Sequence, residues 1–276
     1  MPDARVIPDP PCADGVGLPW DVSVADYLML RRKLPEEIFD GRRILPGTLF
    51  RRDDVACYLA SLDRALDETV AELGTAGTVD IFDVTRRLGH RMGFDWWAGP
   101  GSAAGTAFER LCSAFDVLDG SDAFVHPDAM ATVAASGKRA ERAALEEVAD
   151  VVAAAVRRHD AGIGDRQALF GRIVDAWSSE TGDTRLRGIA LDVALIHVAS
   201  MSNLAAALGW ALVDLLEHPA HLARLLAGDA DGFAQRCALE STRLAQRSIM
   251  ARAVVSPVRV DTGETVYTVP LRVSDL

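Results

Sequence analysis

Apolar residues recur every three or four positions from residue 52 to residue 73, at Val55, Leu59, Leu62, Leu66, Val70 and Leu73. That spacing predicts an amphipathic helix from Arg52 to Leu73, ended by Gly74 and Gly77. Asp80 stands just before Ile81 and Phe82 as an N-cap, and a second helix runs through Val84, Leu88 and Met92 to about Trp97. Gly99, Pro100 and Gly101 break it. Ala104 to Leu118 is a third helix, followed by a turn at Asp119 to Asp122. Ala140 to His159 is a long fourth, with Leu145, Val148, Val151, Val152 and Val156 on one side. Arg166 to Trp177 is helical again, and Ser178 to Gly182 is a loop.

The longest periodic run is Arg185 to Glu217. As one helix it is roughly 50 Å long at ~1.5 Å per residue. Between Arg187 and Asp214 only Asp192 is charged, so the helix must be wrapped by others. His218 and Pro219 end it and start a short helix to about Leu226. A loop at Gly228 to Asp231 leads to a helix from Gly232 to Arg247. Alternating apolar residues then flank a turn at Gly263, with Val254 to Val260 on one side and Val266 to Val269 on the other, which predicts a β hairpin. The expected fold class is mainly α with a small C-terminal hairpin. Residues 1–47, rich in Pro and Gly, form an irregular arm with one short helix between Val24 and Lys33; residues 48–276 form the helical domain.

Composition narrows the function classes. A chain of 276 residues, 49% hydrophobic and 25% charged, has ordinary globular make-up and enough length for a sizeable core. Its net charge of −11 argues against a broad surface for nucleic acid or anionic membrane. Cys12, Cys57, Cys112 and Cys237 are scattered and form no CxxC pair, which suggests reduced thiols and a cytoplasmic home. The first residues lack a signal-peptide pattern. Val193 to Val213 has no charged residue and the length of a membrane span, but His197, Ser200, Ser202 and Asn203 interrupt it; a buried central helix is expected. His197 and the pair His218 and His221 are candidate metal ligands, weighed against satisfied core histidines.

The order of the last elements is distinctive. A long apolar helix ends in Glu217, His218 and Pro219. A short helix and a connector follow. Then come Glu240 and Arg243 in a Glu-x-x-Arg pattern, and then the hairpin ending at Pro270. This order, over about Phe50 to Pro270, resembles the bacterial cytochrome P450 family from its central helix to the strands after its Glu-x-x-Arg helix. The resemblance implies a helical haem-thiolate monooxygenase core, here incomplete at both ends. It implies that Glu240 and Arg243 form a buried structural pair and that Arg252 meets a haem propionate. In the family an acid and an alcohol on the central helix deliver protons to bound dioxygen. Ser202 and Asn203 take those positions here, and neither is an acid near neutral pH.

The family's axial thiolate comes from a glycine-rich loop, and no Phe-x-x-Gly-x-x-x-Cys-x-Gly pattern occurs in this sequence. The expectation is therefore a truncated or degenerate member in which haem is absent or weakly bound, with no competence for oxidation. An intact relative would oxidise a small apolar molecule with electrons from a ferredoxin or reductase. The alternative is a haem-free homologue that binds and activates a protein partner, such as a glycosyltransferase in natural-product biosynthesis, or that forms a homo-oligomer. A generic helical ligand-binding protein is the reading outside the family. No nucleic acid or membrane is expected as a partner.

Overall fold

Helix-forming periodicity dominates the sequence, and the chain is mainly helical in the computed structural model, which describes residues 32–39, 51, 54–120, 126–164, 168–228, 231–245, 258–261, 263 and 266–269. After a 3₁₀ turn at Glu36–Phe39 come α1 (Asp54–Leu73), α2 (Ile81–Trp97), α3 (Gly105–Leu118), α4 (Pro127–Ala135), α5 (Arg139–Asp160), α6 (Leu169–Ala176), α7 (Gly182–Glu217), α8 (Pro219–Leu226) and α9 (Phe233–Leu244). Two short strands, β1 (Val258–Asp261) and β2 (Val266–Val269), pair antiparallel with Val258 opposite Val269. Residues from Val24 to Arg31, Cys12 and Arg252 lie outside the described residues. The chain divides into two compact units, Met1–Val213 and Asp214–Leu276.

Local chemistry sets the helix starts. Asp80 caps α2 by accepting hydrogen bonds from the backbone N–H of Phe82 (2.8 Å) and of Asp83 (3.1 Å). Pro127 opens α4 and Pro219 opens α8, where a missing N–H costs nothing. The α4 helix falls in a stretch where periodicity predicts none, because nine residues carry too few apolar positions to register. Lys138 precedes α5 in the left-handed region at φ 57°. Its ammonium donates to the Leu34 carbonyl (2.9 Å) and pairs with Glu36, which holds residues 32–39 against the start of α5. Leu34 and Ile38 are fully buried there, so this part of the N-terminal arm belongs to the core.

The core of the first unit is built from α2, α3, α5, α6 and α7, with Phe94, Trp97, Phe108, Phe115, Leu145 and Ile189 among its largest buried side chains. The α5 face of Leu145, Val148, Val151, Val152 and Val156 is buried as its periodicity predicts. Helices α2 and α7 approach closely because glycines line the contact. A Cβ on Gly93 would stand 2.8 Å from the His197 ring, and one on Gly209 would stand 2.7 Å from the Phe82 ring. The single charge in the middle of α7, Asp192, is buried and accepts a 2.6 Å hydrogen bond from the Trp177 indole.

Helix α7 is long and apolar enough to cross a membrane, and more than half of its most apolar stretch is buried inside the protein, as in a core helix. The wrapping is uneven: residues from Gly188 to Met201 supply most of its buried positions, whereas Trp210, Leu212 and Leu216 are exposed.

Helix α1 departs most from simple expectation. An amphipathic helix ordinarily turns its apolar stripe inward. Here the buried residues are Ser61, Ala65 and Thr69, and Val55, Leu59, Leu66, Val70 and Leu73 are exposed. Polar contacts fix this orientation. Ser61 and Arg64 both bond the Asp95 carboxylate of α2. Arg91 of α2, itself buried, donates to Thr69 (2.8 Å) and pairs with Glu72. Arg87 bridges Glu72 (2.7 Å) and Glu109 of α3 (2.6 Å). Arg172 of α6 clasps Asp54 through both terminal nitrogens. In the second unit, among the residues whose side chains are described, Ser241 alone is buried, and Leu226, Leu239 and Leu244 are exposed.

Candidate functional site

Helix α2 presents His90, Phe94 and Trp97 at i, i+4 and i+7, one face at helical spacing. That face meets His197 of α7 and Phe115 of α3. The His197 ring stacks on Phe94, with centroids 4.4 Å apart, and lies 4.1 Å from Phe115. Gly93 makes the approach possible, since any side chain there would fill the space of the imidazole.

Hydrogen-bond chemistry fixes the direction of this cluster. The Trp97 indole N–H can only donate, and it points at His197 Nδ1 at 3.2 Å. His197 Nδ1 is therefore the acceptor and the ring carries its proton on Nε2. That proton is donated to His90 Nδ1 at 2.8 Å. In its neutral form His90 then carries its own proton on Nε2, which faces Asp116 Oδ1 of α3 at 3.7 Å. This separation is too long for a direct hydrogen bond, and His90 Nε2 is otherwise buried without a partner. The carboxylate acts on the ring as a nearby charge. The contact with His90, then the guanidinium of Arg86 at 3.5 Å, holds Asp116 below the usual carboxylate range.

Burial dominates the titration of His197. The ring is 2% exposed among aromatic side chains, and desolvation, reinforced by His90, pushes its pKa well below the ordinary 6.5. Both ring nitrogens are occupied, so His197 has no free lone pair for a metal or a substrate proton. It is a satisfied core histidine that ties α2 to α7. Among the described residues no group of three His, Cys, Asp or Glu side chains could hold a metal ion. His218 and His221 stack at 5.5 Å on the second unit, and His218 Nδ1 is 2.7 Å from the Asp214 carbonyl.

One turn beyond His197, the Ser202 hydroxyl comes near enough to Asp119, in the turn that ends α3, to influence its titration. Desolvation raises the Asp119 pKa, and the Ser202 hydroxyl and the Lys33 ammonium oppose the rise. Lys33 is buried and donates to the Gly120 carbonyl (2.6 Å), where a cation also favours the C-terminal end of α3. So an acid does stand near Ser202, in the turn that ends α3 rather than on α7. Asn203 is exposed and not part of this group. Periodicity alone offers no signal for Asp119, because it sits in a turn. The i, i+4, i+7 spacing of His90, Phe94 and Trp97 is the one sequence signal that points to the buried cluster.

Glu240 and Arg243 pair on α9 as their spacing predicts, with Arg243 Nε 2.8 Å from Glu240 Oε2 and Nη2 2.6 Å from Oε1. Their side chains are 55% and 66% exposed. They form a two-pronged surface ion pair rather than a buried clamp.

Cys112 is buried on α3, and desolvation pushes its pKa up to about 12, which keeps it a neutral thiol near pH 7. Cys57 is on the exposed side of α1, and Cys237 is half-buried on α9, one turn before Glu240. Comparison with known proteins finds no matching family model and no curated protein of significant similarity.

Proposed function

We propose that this chain is of cytochrome P450 lineage and that the residues described do not carry out oxidation. The observation that supports the lineage most is the order of elements. The long α7 ends in Glu217, His218 and Pro219; short α8 follows; then α9 carries Glu240 and Arg243 as a bidentate pair. A C-terminal hairpin after that helix belongs to the same architecture. The chemistry of the site argues against oxidation. Ser202 and Asn203 take the acid and alcohol positions, and the described thiols Cys57, Cys112 and Cys237 lie on helices rather than in a glycine-rich loop. In an active relative, bound haem would supply oxygen activation, a small apolar molecule would be the substrate, and a ferredoxin or reductase would supply electrons. Arg252 is the residue proposed to meet a haem propionate.

The thiol chemistry favours a second reading, a haem-free homologue in the cytoplasm that binds and activates a protein partner such as a glycosyltransferase. The deciding experiment is an absorption spectrum of the purified chain, produced with haem supplied, after addition of reductant and carbon monoxide. The expected spectrum has no thiolate-type ferrous carbonyl band. A stoichiometric band of that type overturns the haem-free reading. Turnover of a candidate glycosyltransferase, measured with and without the chain, then tests the partner role.

A further inference from the structure

The apolar stripe of α1 has no cover among the described residues. At 3.6 residues per turn, Val55, Leu59, Leu62, Leu66, Val70 and Leu73 fall within an arc of about 80°. The buried face of Ser61, Ala65 and Thr69 is centred about 100° away around the same helix. Leu62 is half-buried at the edge, and the other five are exposed, from 39% at Leu73 to 62% at Val70. The helix cannot roll to hide them. A quarter turn would break the contacts of Asp54 with Arg172, of Ser61 and Arg64 with Asp95, and of Thr69 and Glu72 with Arg91. Five large apolar side chains in one line are not the scattered exposure of an ordinary surface.

The pattern itself selects the occupant. Val55 and Leu73, Leu59 and Val70, and Leu62 and Leu66 are symmetric about position 64 to within one residue. A stripe that reads alike in both directions is complementary to itself under a two-fold axis perpendicular to the helix. That axis also sets the helix dipoles antiparallel, whereas a parallel pair would align their like-charged ends. The stripe is roughly 27 Å long at ~1.5 Å per residue and about 10 Å wide. This footprint is well below the ~800 Å² per partner of a standard stable interface, so pairing through the stripe is weak and concentration-dependent rather than obligate. We infer that α1 is a homodimerisation helix, pairing antiparallel with α1 of a second copy of this chain through the stripe from Val55 to Leu73. The inference is independent of the family reading and of haem.

The test is sedimentation velocity on the full chain across a micromolar concentration series, with Cys57→Ser as background to exclude a disulfide dimer. The expected result is a reversible monomer–dimer equilibrium. Leu59→Glu and Leu66→Glu change exposed positions; each raises the dissociation constant at least about tenfold and leaves the far-ultraviolet circular dichroism unchanged. Val55→Lys alone and Leu73→Glu alone each weaken the dimer, and the double variant restores it, because antiparallel pairing sets the two new charges opposite each other. If a glutamate variant fails to fold, amide exchange in the parent chain gives the answer: α1 must gain protection as concentration rises. The proposal is overturned by a monomer at every concentration, including one whose α1 is covered by its own chain. A dimer indifferent to both glutamates, or a double variant weaker than either single one, also overturns it.

Discussion

The buried histidine of α7 makes stability sensitive to mild acid. The perturbation is a fall in pH from 7.5 to 5.5, compared between the parent chain and His197→Phe. Above pH 7 the His197 ring is neutral in both the folded and the unfolded chain and contributes no pH dependence. Below 6.5 the unfolded ring takes up a proton, while the folded ring resists, because burial first and His90 second disfavour its charge. Stability therefore falls as pH drops through this window, at up to about 1.4 kcal/mol per pH unit. With the folded ring still neutral at pH 5.5, the loss relative to pH 7.5 reaches about 1.4 kcal/mol, which lowers the melting midpoint by roughly 3–6 °C for a unit of this size. Phe at position 197 keeps the stacking with Phe94 and Phe115 but cannot titrate. It strands the Trp97 N–H and His90 Nδ1, each a penalty of about 1–3 kcal/mol. That penalty lowers the variant at both pH values and leaves the difference between them interpretable. The groups facing the ring from each neighbouring helix are Phe94, Trp97 and His90 of α2 and Phe115 of α3. The assay is urea unfolding followed by tryptophan fluorescence at the two pH values. Equal losses in the two proteins between pH 7.5 and 5.5 refute the assignment of His197 as the buried neutral group.

Gly188→Ala is expected to destabilise by about 1–3 kcal/mol, because its Cβ would overlap the Trp177 indole that bonds Asp192; helix propensity returns at most about 1 kcal/mol of this, and a thermal melt at or above the parent midpoint would contradict the packing. Leu145→Ala removes a fully buried side chain of α5 and costs about 2–5 kcal/mol by chemical denaturation. Arg91→Met is expected to cost about 1–3 kcal/mol by the same measurement, limited because the carboxylates it leaves, Glu68 and Glu72, are solvated. Glu240→Gln is expected to leave the melting midpoint unchanged, since the pair with Arg243 is exposed; a large drop would show that this pair is a buried clamp.

Local residue patterns set every helix but α4, most of the helix ends, and the buried face of α5. Asp80, Pro219 and the glycines act within a few residues of where they stand, so local chemistry fixes the caps and breaks. The α5 stripe was legible because nothing competes with its apolar face for the core. The pairing of Glu240 with Arg243 was legible because three residues on a helix set it, whereas its exposure was not, because burial depends on what the rest of the chain brings near. Helix α1 shows the limit most plainly. Its apolar stripe is evident, but the direction it faces was decided by arginines on α2 and α6 and an aspartate on α2, whose ion pairs and hydrogen bonds hold Ser61 and Thr69 inward. The histidine cluster likewise joins residues 107 positions apart, and Asp119 reaches Ser202 from a turn on another helix. Periodicity reports which side chains share a face of one element. Only the packed structure decides what that face meets, because the meeting depends on charges and glycines supplied by helices distant in the chain.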